Sequence, residues 1–389
     1  MRGQMKFGLY IPTRLLFGAG ELNQLATAGL PGKKALLVVS AGGSMARLGY
    51  LDRVRALLAQ GGADSVVFDR VQPNPIRATV MEGTEVCRAE GCDFVVGLGG
   101  GSSIDTAKAI AITAAMGGDF WDYVHGGTGG GKRVERALPI VAIPTTAGTG
   151  TEVDLWGVIT NEQTREKMGF GCPQIFPTMA IVDPDLMMSV PPRLTAYQGF
   201  DAFFHAAEGY ISHSHSPASD LYALEAIRLL YKYLPVAVAD GNNRWARIKV
   251  AWASTLAGMV ESTAGCTGEH ALEHALSAFK PELPHGAGLI AISGAYFKTL
   301  KNDVMKRLMK MSEKMTQQKA ARPSDFLDAL EVMKRECGVA DLKLSQWGFT
   351  AAHLDDLVEN AVTTGASMLD NDPRFLNREE LREIYAASL

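Results

Sequence analysis

The sequence predicts an α/β protein in two parts, an N-terminal parallel sheet covered by helices over 1–187 and an all-helical part over 188–389. Three observations carry this reading. Short apolar runs alternate with helical periodicity in the first half, glycine-rich tracts stand directly behind two of those runs, and after Pro191-Pro192 the pattern is helical almost to the end. Strands of four to six apolar residues separated by helices belong to a sheet buried on both faces, since such a sheet has no solvent side to mark with polar residues. A chain of 389 residues also exceeds what one core ordinarily spans.

In order, Ala35–Ser40 reads as a strand, Leu51–Gln60 as a helix, Ser65–Phe68 as a strand and Ile76–Glu90 as a helix. Asp93–Gly97 is the next strand, Ile104–Ala115 the next helix, and Leu138–Ile143 and Ala180–Asp183 are further strands. Ligands of such sheets bind at the carboxyl ends of the strands. The helical part comprises Leu194–Ile211, Leu221–Ala237, Ala246–Ser262, His270–Phe279 and several C-terminal segments. Gly126–Gly131 follows no strand, and Lys132-Arg133 do not complete a phosphate loop, so the tract reads as a flexible surface loop.

Composition narrows the function classes. Hydrophobic residues at 47% and charged residues at 21% belong to a soluble globular protein. A net charge of −4, without a long basic run, argues against a nucleic-acid surface. Met1–Pro12 has no apolar stretch of leader length, and no window has the length and purity of a membrane span. Five cysteines at irregular spacings do not form a disulfide framework, and a reducing cytoplasm is the expected setting. Cys87 and Cys92 fall on a predicted helix and read as small apolar side chains.

Of eight histidines, three cluster as His270, His274 and His285, and a fourth, His205, stands four residues after Asp201. A spacing of four puts both members of the Asp201/His205 and His270/His274 pairs on one helix face. His285 follows in Leu-Pro-His-Gly, a turn-like setting. One carboxylate with two or three imidazoles suits divalent iron or zinc and is too nitrogen-rich for calcium or magnesium.

Leu98-Gly-Gly-Gly-Ser-Ser-Ile-Asp105 follows a strand and opens a helix, where small residues let the backbone approach a pyrophosphate and free N–H groups complement its charge. Ser102 and Ser103 are equally suited to cap that helix. Pro144-Thr-Thr-Ala-Gly-Thr-Gly-Thr151 lies past another strand, so the two tracts are expected to face one cleft and a dinucleotide is the expected ligand.

In chain order, Gln72-Pro-Asn-Pro75, Gly97-Leu-Gly-Gly-Gly-Ser-Ser-Ile-Asp-Thr-Ala-Lys108, Ile143-Pro-Thr-Thr-Ala-Gly-Thr-Gly-Thr-Glu152, Asp201-Ala-Phe-Phe-His205 with Glu208, His270-Ala-Leu-Glu-His274 and Pro284-His-Gly286 resemble the iron-containing (group III) alcohol dehydrogenases across nearly the whole chain. Butanol dehydrogenases and NADPH-linked aldehyde reductases are the nearest kind. The resemblance implies a dinucleotide-binding domain, a helical metal domain, and hydride transfer between NAD(P)(H) and a small primary alcohol or aldehyde in the cleft between them. It implies Asp201, His205, His270 and His285 as ligands of Fe2+, with Zn2+ as the alternative, and His274 as the histidine that assists proton transfer beside the nicotinamide. Gly99, Gly100, Gly101, Ser102 and Asp105 match pyrophosphate-side positions, while Asn74, Thr145, Thr146, Thr149, Lys167 and Leu186 match further cofactor positions. A homo-oligomer, dimer or larger, is implied as well.

Two departures matter. The stretch from His274 to His285 is one residue longer than the common pattern, a length a loop absorbs at small cost. Many NAD-using members carry an Asp at the end of the first main strand, where Ser40 stands here, followed by Gly42, Gly43 and Ser44. Loss of a carboxylate and gain of N–H and hydroxyl donors suits a 2′-phosphate, so NADP(H) is favoured over NAD(H). Rival readings are a glycerol dehydrogenase, a maleylacetate reductase, a dehydroquinate synthase-type enzyme (for which clustered Lys/Arg are lacking) and a non-catalytic metal- or nucleotide-binding protein. Phe203, Phe204, Trp252 and Phe279 read as core side chains rather than pocket walls.

Overall fold

A computed structural model describes residues 6–389; the first five, part of the Met1–Pro12 segment expected to have no apolar stretch of leader length, lie outside the described residues. In chain order the strands are β1 (Arg14–Phe17), β2 (Lys34–Ser40), β3 (Asp64–Val71), β4 (Phe94–Gly99), β5 (Ile140–Pro144), β6 (Trp156–Asn161), β7 (Glu166–Gly171) and β8 (Met179–Val182). Six of them form one parallel sheet in the order β1-β8-β5-β4-β2-β3, while β6 and β7 make a separate antiparallel hairpin. β4 and β5 are buried along their whole length, which is why their sequences are continuous rather than alternating. Helices α1 (Ser44–Arg47), α2 (Tyr50–Gln60), α3 (Arg77–Ala89) and α4 (Gly101–Met116) accompany the sheet.

From β2 the chain steps outward to β3, then returns to the other side of β2 to lay down β4. This reversal opens a crevice at the carboxyl ends of β2 and β4, the position at which open parallel sheets bind ligands. Ser40 ends β2 and Gly99 ends β4, so both glycine-bearing turns flank it.

Three features differ from the sequence reading. β1 and the β6–β7 hairpin escaped notice because β1 is only four residues and the hairpin strands are interrupted by Gly157, Gly169 and Gly171. Cys92 lies beyond the end of α3, in a turn closed by its amide donating to the Cys87 carbonyl at 2.9 Å. His285 does not sit in a turn but is the first residue of a helix behind Pro284, whose fixed φ suits a helix entry.

The helical half begins with α5 (Pro192–Ile211), α6 (Pro217–Ala239), α7 (Arg244–Ala264), α8 (Gly268–Phe279) and α9 (His285–Leu300). It ends with α10 (Met305–Thr316), α11 (Ser324–Glu336), α12 (Leu354–Thr364), α13 (Ala366–Leu369) and α14 (Arg378–Ala387). Pro192 and Pro217 start their helices earlier than periodicity alone suggested, and a Ser216–Ser219 capping box fixes the second of these starts. α5 runs through the centre of this half, packed against α6, α7 and α9. Phe200, Phe203 and Phe204 are fully buried in the core there.

Close backbone approach joins the pieces. A Cβ on Gly286 would collide with the Tyr197 carbonyl, so the glycine lets α9 press onto α5 and brings His285 toward Asp201. Where the two halves meet, Gly150 (φ +66°) lies against Gly258 of α7, and a Cβ on Gly150 would sit 2.5 Å from the Gly258 Cα. No described helix is long and apolar enough to cross a membrane.

Candidate active site

The two halves enclose a cleft of about 670 Å³. α5 delivers His205 to its lining with Asp201 buried one turn earlier, α8 delivers His270 and His274, and the first residue of α9 delivers His285. Asp201 Oδ1 lies 3.7 Å from His205 Nε2, 3.6 Å from His270 Nε2 and 3.4 Å from His285 Nε2. Asp201 Oδ1 and His270 Nε2 are buried without a hydrogen-bond partner among the described residues. Asp201, His270 and His285 offer donor atoms within 4.8 Å of one another, His205 Nε2 adds a fourth on the Asp201 side, and two of these atoms are otherwise unsatisfied, which fits a transition-metal ion: an unpartnered buried carboxylate is costly unless paired or coordinated.

The imidazoles are aimed by carboxylates that the sequence reading did not assign. His270 Nδ1 donates to Glu208, which also accepts from the Thr267 amide at 2.7 Å and hydroxyl at 2.8 Å. His285 Nδ1 donates to Glu273, itself paired with Lys167 Nζ at 3.1 Å. Each carboxylate fixes the tautomer that leaves Nε2 free to ligate. Burial opposes ionisation of Asp201, but the facing His205, His270 and His285 hold its pKa well below the usual carboxylate range. Burial pushes the His205 pKa down to about 4. Burial, with Lys167 nearby, holds His274 well below the ordinary imidazole value, so His274 is neutral near pH 7. Its Nδ1 is buried and unpartnered, and its ring centroid lies 5.7 Å from that of His285.

On the sheet side the two glycine tracts meet. The Thr145 amide donates to the Gly99 carbonyl at 2.8 Å. A Cβ on Gly100 would lie 3.2 Å from Thr146, and one on Gly101 would lie 2.6 Å from Thr149. Gly100 caps α4 without a side-chain hydrogen bond, and Ser102 and Ser103 lie inside the helix rather than at its cap. Asn74, Gly101, Ser102, Asp105, Thr149 and Lys167 line the cleft. Asn74 adopts φ +51° and donates from Nδ2 to the Pro281 carbonyl at 3.0 Å, bridging the halves. The Asp105 carboxylate is engaged by Thr151 Oγ1 at 2.8 Å and the Val158 amide at 3.0 Å, which braces α4 against the hairpin.

Ser40, Gly42, Gly43 and Ser44 form the turn behind β2, where the Ser40 and Ser44 hydroxyls lie 3.5 Å apart and Arg47 donates to the Gly42 carbonyl at 2.6 Å. Leu186 is buried in the sheet's core, and neither it nor Ser40–Ser44, Gly99, Gly100, Thr145 and Thr146 lines the cleft. Lys167, which in isolation reads as a solvated charge, is buried. The Gly126–Gly131 tract is exposed but held, through the Thr128 amide on Glu166 at 2.9 Å and Trp121 Nε1 on Thr128 at 3.0 Å. Trp252 packs on Phe17 and Phe279 on the helical core.

Comparison with known proteins bears directly on this arrangement. Residues 12–184 match the family described as iron-containing alcohol dehydrogenase, and residues 195–389 match the Fe-containing alcohol dehydrogenase family, C-terminal. The chain belongs to the iron-containing alcohol dehydrogenase family. It is 34% identical to 1,3-propanediol dehydrogenase of Citrobacter freundii, covering 97% of this chain and 98% of that one. It is also 34% identical to choline dehydrogenase of Bacillus subtilis, over 96% and 93%. A crystal structure of an archaeal halo-thermophilic alcohol dehydrogenase from a Red Sea brine pool superposes with a TM-score of 0.95 at 32% identity, over 100% of both chains. Family membership makes this chain an oxidoreductase that interconverts alcohols and aldehydes with a nicotinamide cofactor.

Proposed function

We propose that the chain interconverts small primary alcohols and aldehydes on a divalent iron held by Asp201, His205, His270 and His285, with NADP(H) preferred over NAD(H). The observation that carries this is the convergence of three imidazole nitrogens on Asp201 Oδ1 at 3.4–3.7 Å in a buried setting. Zinc is the alternative ion for such a donor set.

A divalent cation in this set supplies Lewis acidity of the kind that lowers the pKa of bound water from ~16 to ~7. Asp201 brings one negative charge and the imidazoles bring none, so the donors neutralise only half of a divalent charge. Glu208 and Glu273 keep the imidazoles oriented. Neutral His274 would take the alcohol proton in oxidation and return one to the carbonyl oxygen in reduction, and a bound nicotinamide would accept or supply the hydride at the substrate carbon. The abutting glycine tracts admit the nucleotide's pyrophosphate close to the backbone at the start of α4. The turn Ser40–Ser44 offers hydroxyl and amide donors, and no carboxylate, to the adenosine ribose; this supports a 2′-phosphate.

His270→Ala should release the metal and abolish aldehyde-dependent NAD(P)H oxidation, read by metal analysis and nicotinamide absorbance. Full activity of metal-stripped wild type would overturn the mechanism. Ser40→Asp should move the cofactor preference toward NAD by tenfold or more in kcat/KM, and an unchanged ratio would refute the NADP assignment.

A further inference from the structure

One wall of the cleft is a turn held in place from a distant part of the chain. α7 ends at Ala264, α8 begins at Gly268, and Gly265 between them takes φ +67°. Gly265 and Cys266 line the cleft. Cys266 Sγ, one ring nitrogen of His205 and one of His270 lie within 4.8 Å of one another. The turn therefore stands against two of the imidazoles at which a substrate would react.

Asn371, in the turn behind α13, fastens that wall. Its amide nitrogen donates to the Ala264 carbonyl at 2.8 Å and to the Cys266 carbonyl at 3.0 Å, one on each side of Gly265. Its Oδ1 accepts from the Ser214 amide at 3.1 Å, and its own carbonyl accepts from the His213 amide at 2.9 Å. Two donors and an acceptor are all engaged, so the partners fix the orientation of the side-chain amide. The Ala264 carbonyl is one of those that a helix end leaves open, and Ser212 Oγ is its second donor at 3.1 Å. The Cys266 carbonyl has Asn371 as its one donor among the described residues. A glycine carries the freest backbone, so the position of this turn depends on what grips its two ends. His213, Ser214 and Asn371 line the cleft as well. One neutral side chain thus ties together the segments behind α5, α7 and α13 where they face the cavity.

We infer that Asn371 is a positioning residue for the substrate: through the Gly265–Cys266 turn it sets the wall against which the alcohol or aldehyde packs. The inference rests on the reading of this cleft as the oxidoreductase active site. Asn371 bonds to none of the metal-ligand candidates, and Glu208 and Glu273 aim His270 and His285 without it. Releasing the turn should therefore loosen the hold on substrate and spare metal and nucleotide.

The test compares metal-loaded wild type, Asn371→Ala and Asn371→Asp, with nicotinamide cofactor and straight-chain primary alcohols from ethanol to hexan-1-ol. Asn371 is half-buried, so neither substitution hollows the core. Aspartate keeps an acceptor for Ser214 but turns oxygen toward the two carbonyls, which removes the donor alone. Both variants should raise the alcohol KM about fivefold or more with kcat within about twofold, the mark of binding lost equally from ground and transition states. Nucleotide KM and the metal retained against a chelator should match wild type. An unchanged alcohol KM in Asn371→Ala, even beside a lower melting temperature, would overturn the inference, because the residue would then be a structural tie only. Wild-type behaviour of Asn371→Asp would overturn it too, since the donor would not be what holds the wall. So would loss of metal or of nucleotide affinity, which would mean that the turn serves those groups. If wild type holding both metal and nucleotide turns over none of the alcohols, the oxidoreductase reading fails and this inference falls with it.

Discussion

The sheet side and the helical side of this cleft are built by opposite means. On the sheet side the wall is built on glycine backbone: Gly100 and Gly101 stand partly exposed behind β4, with Thr146 and Thr149 packed against them. On the helical side it is side chain: Asp201, His205, His270 and His285 stand on three different helices, two of the imidazoles steered by a buried carboxylate. The difference decides what each side tolerates. A backbone surface is damaged by adding atoms, and a side-chain cage is damaged by removing them.

The seam between the two sides gives the sharpest way to break this contrast. Gly258 of α7 meets Gly150 backbone to backbone, and a Cβ on Gly258 would run into the Gly150 carbonyl. Since neither partner is the end of a flexible side chain, Gly258→Ala should force the halves apart, at a cost of about 3 kcal/mol or more from overpacking. Thermal unfolding should show the loss, and both nucleotide and metal binding should weaken together. Should one ligand bind normally while the other is lost, the two sides would be energetically independent, contrary to the packing.

Within the histidine cluster, Glu208→Gln probes steering without removing a proposed ligand. Glutamine keeps the shape and an acceptor for His270 Nδ1 but not the charge, and Thr267 also loses its carboxylate partner. Removing such an outer partner typically weakens metal binding 10–100-fold. Competition with a chelator should show that drop while nucleotide affinity holds. A metal affinity within twofold of wild type would mean that the helix backbone alone aims His270.

These contrasts explain what could be read from the chain beforehand. The buried strands β4 and β5 were legible because full burial leaves uninterrupted apolar runs, and Asp201/His205 and His270/His274 because helical periodicity alone puts them together. Glu273 was not legible as a steering group: it sits between two histidines on α8, and only the start of α9 at His285 shows which way it reaches. Lys167 was hidden for the opposite reason, being on a glycine-broken hairpin that gives no strand signal yet folds its amine into the cage. Leu186, assigned by resemblance, lies in the sheet's core, a placement that only three-dimensional packing reveals.

The seam also holds a charge whose effect is smaller and depends on pH. Glu152, just behind the second glycine tract, is buried against α7 and accepts from Thr255 Oγ1 at 2.8 Å. Burial raises its pKa to about 7, with the nearby charge of Asp154 adding to the rise. The folded protein therefore holds a proton on Glu152 that the unfolded chain releases above about pH 4.3. Between that value and about pH 7 the native state binds more protons than the unfolded one, so this group makes stability fall as pH rises, and its full cost is present above pH 7. Roughly 1.4 kcal/mol per pKa unit sets an upper limit of about 3–4 kcal/mol, which relaxation around the site will reduce. Glu152→Gln keeps the acceptor for Thr255 and removes the titration. Relative to wild type it should be near neutral at pH 4.5 and stabilising by about 1 kcal/mol at pH 8, in paired denaturant titrations. A difference that does not grow with pH would mean that Glu152 is solvated at the seam, and that the two halves are less tightly closed over it than the Gly150–Gly258 contact requires.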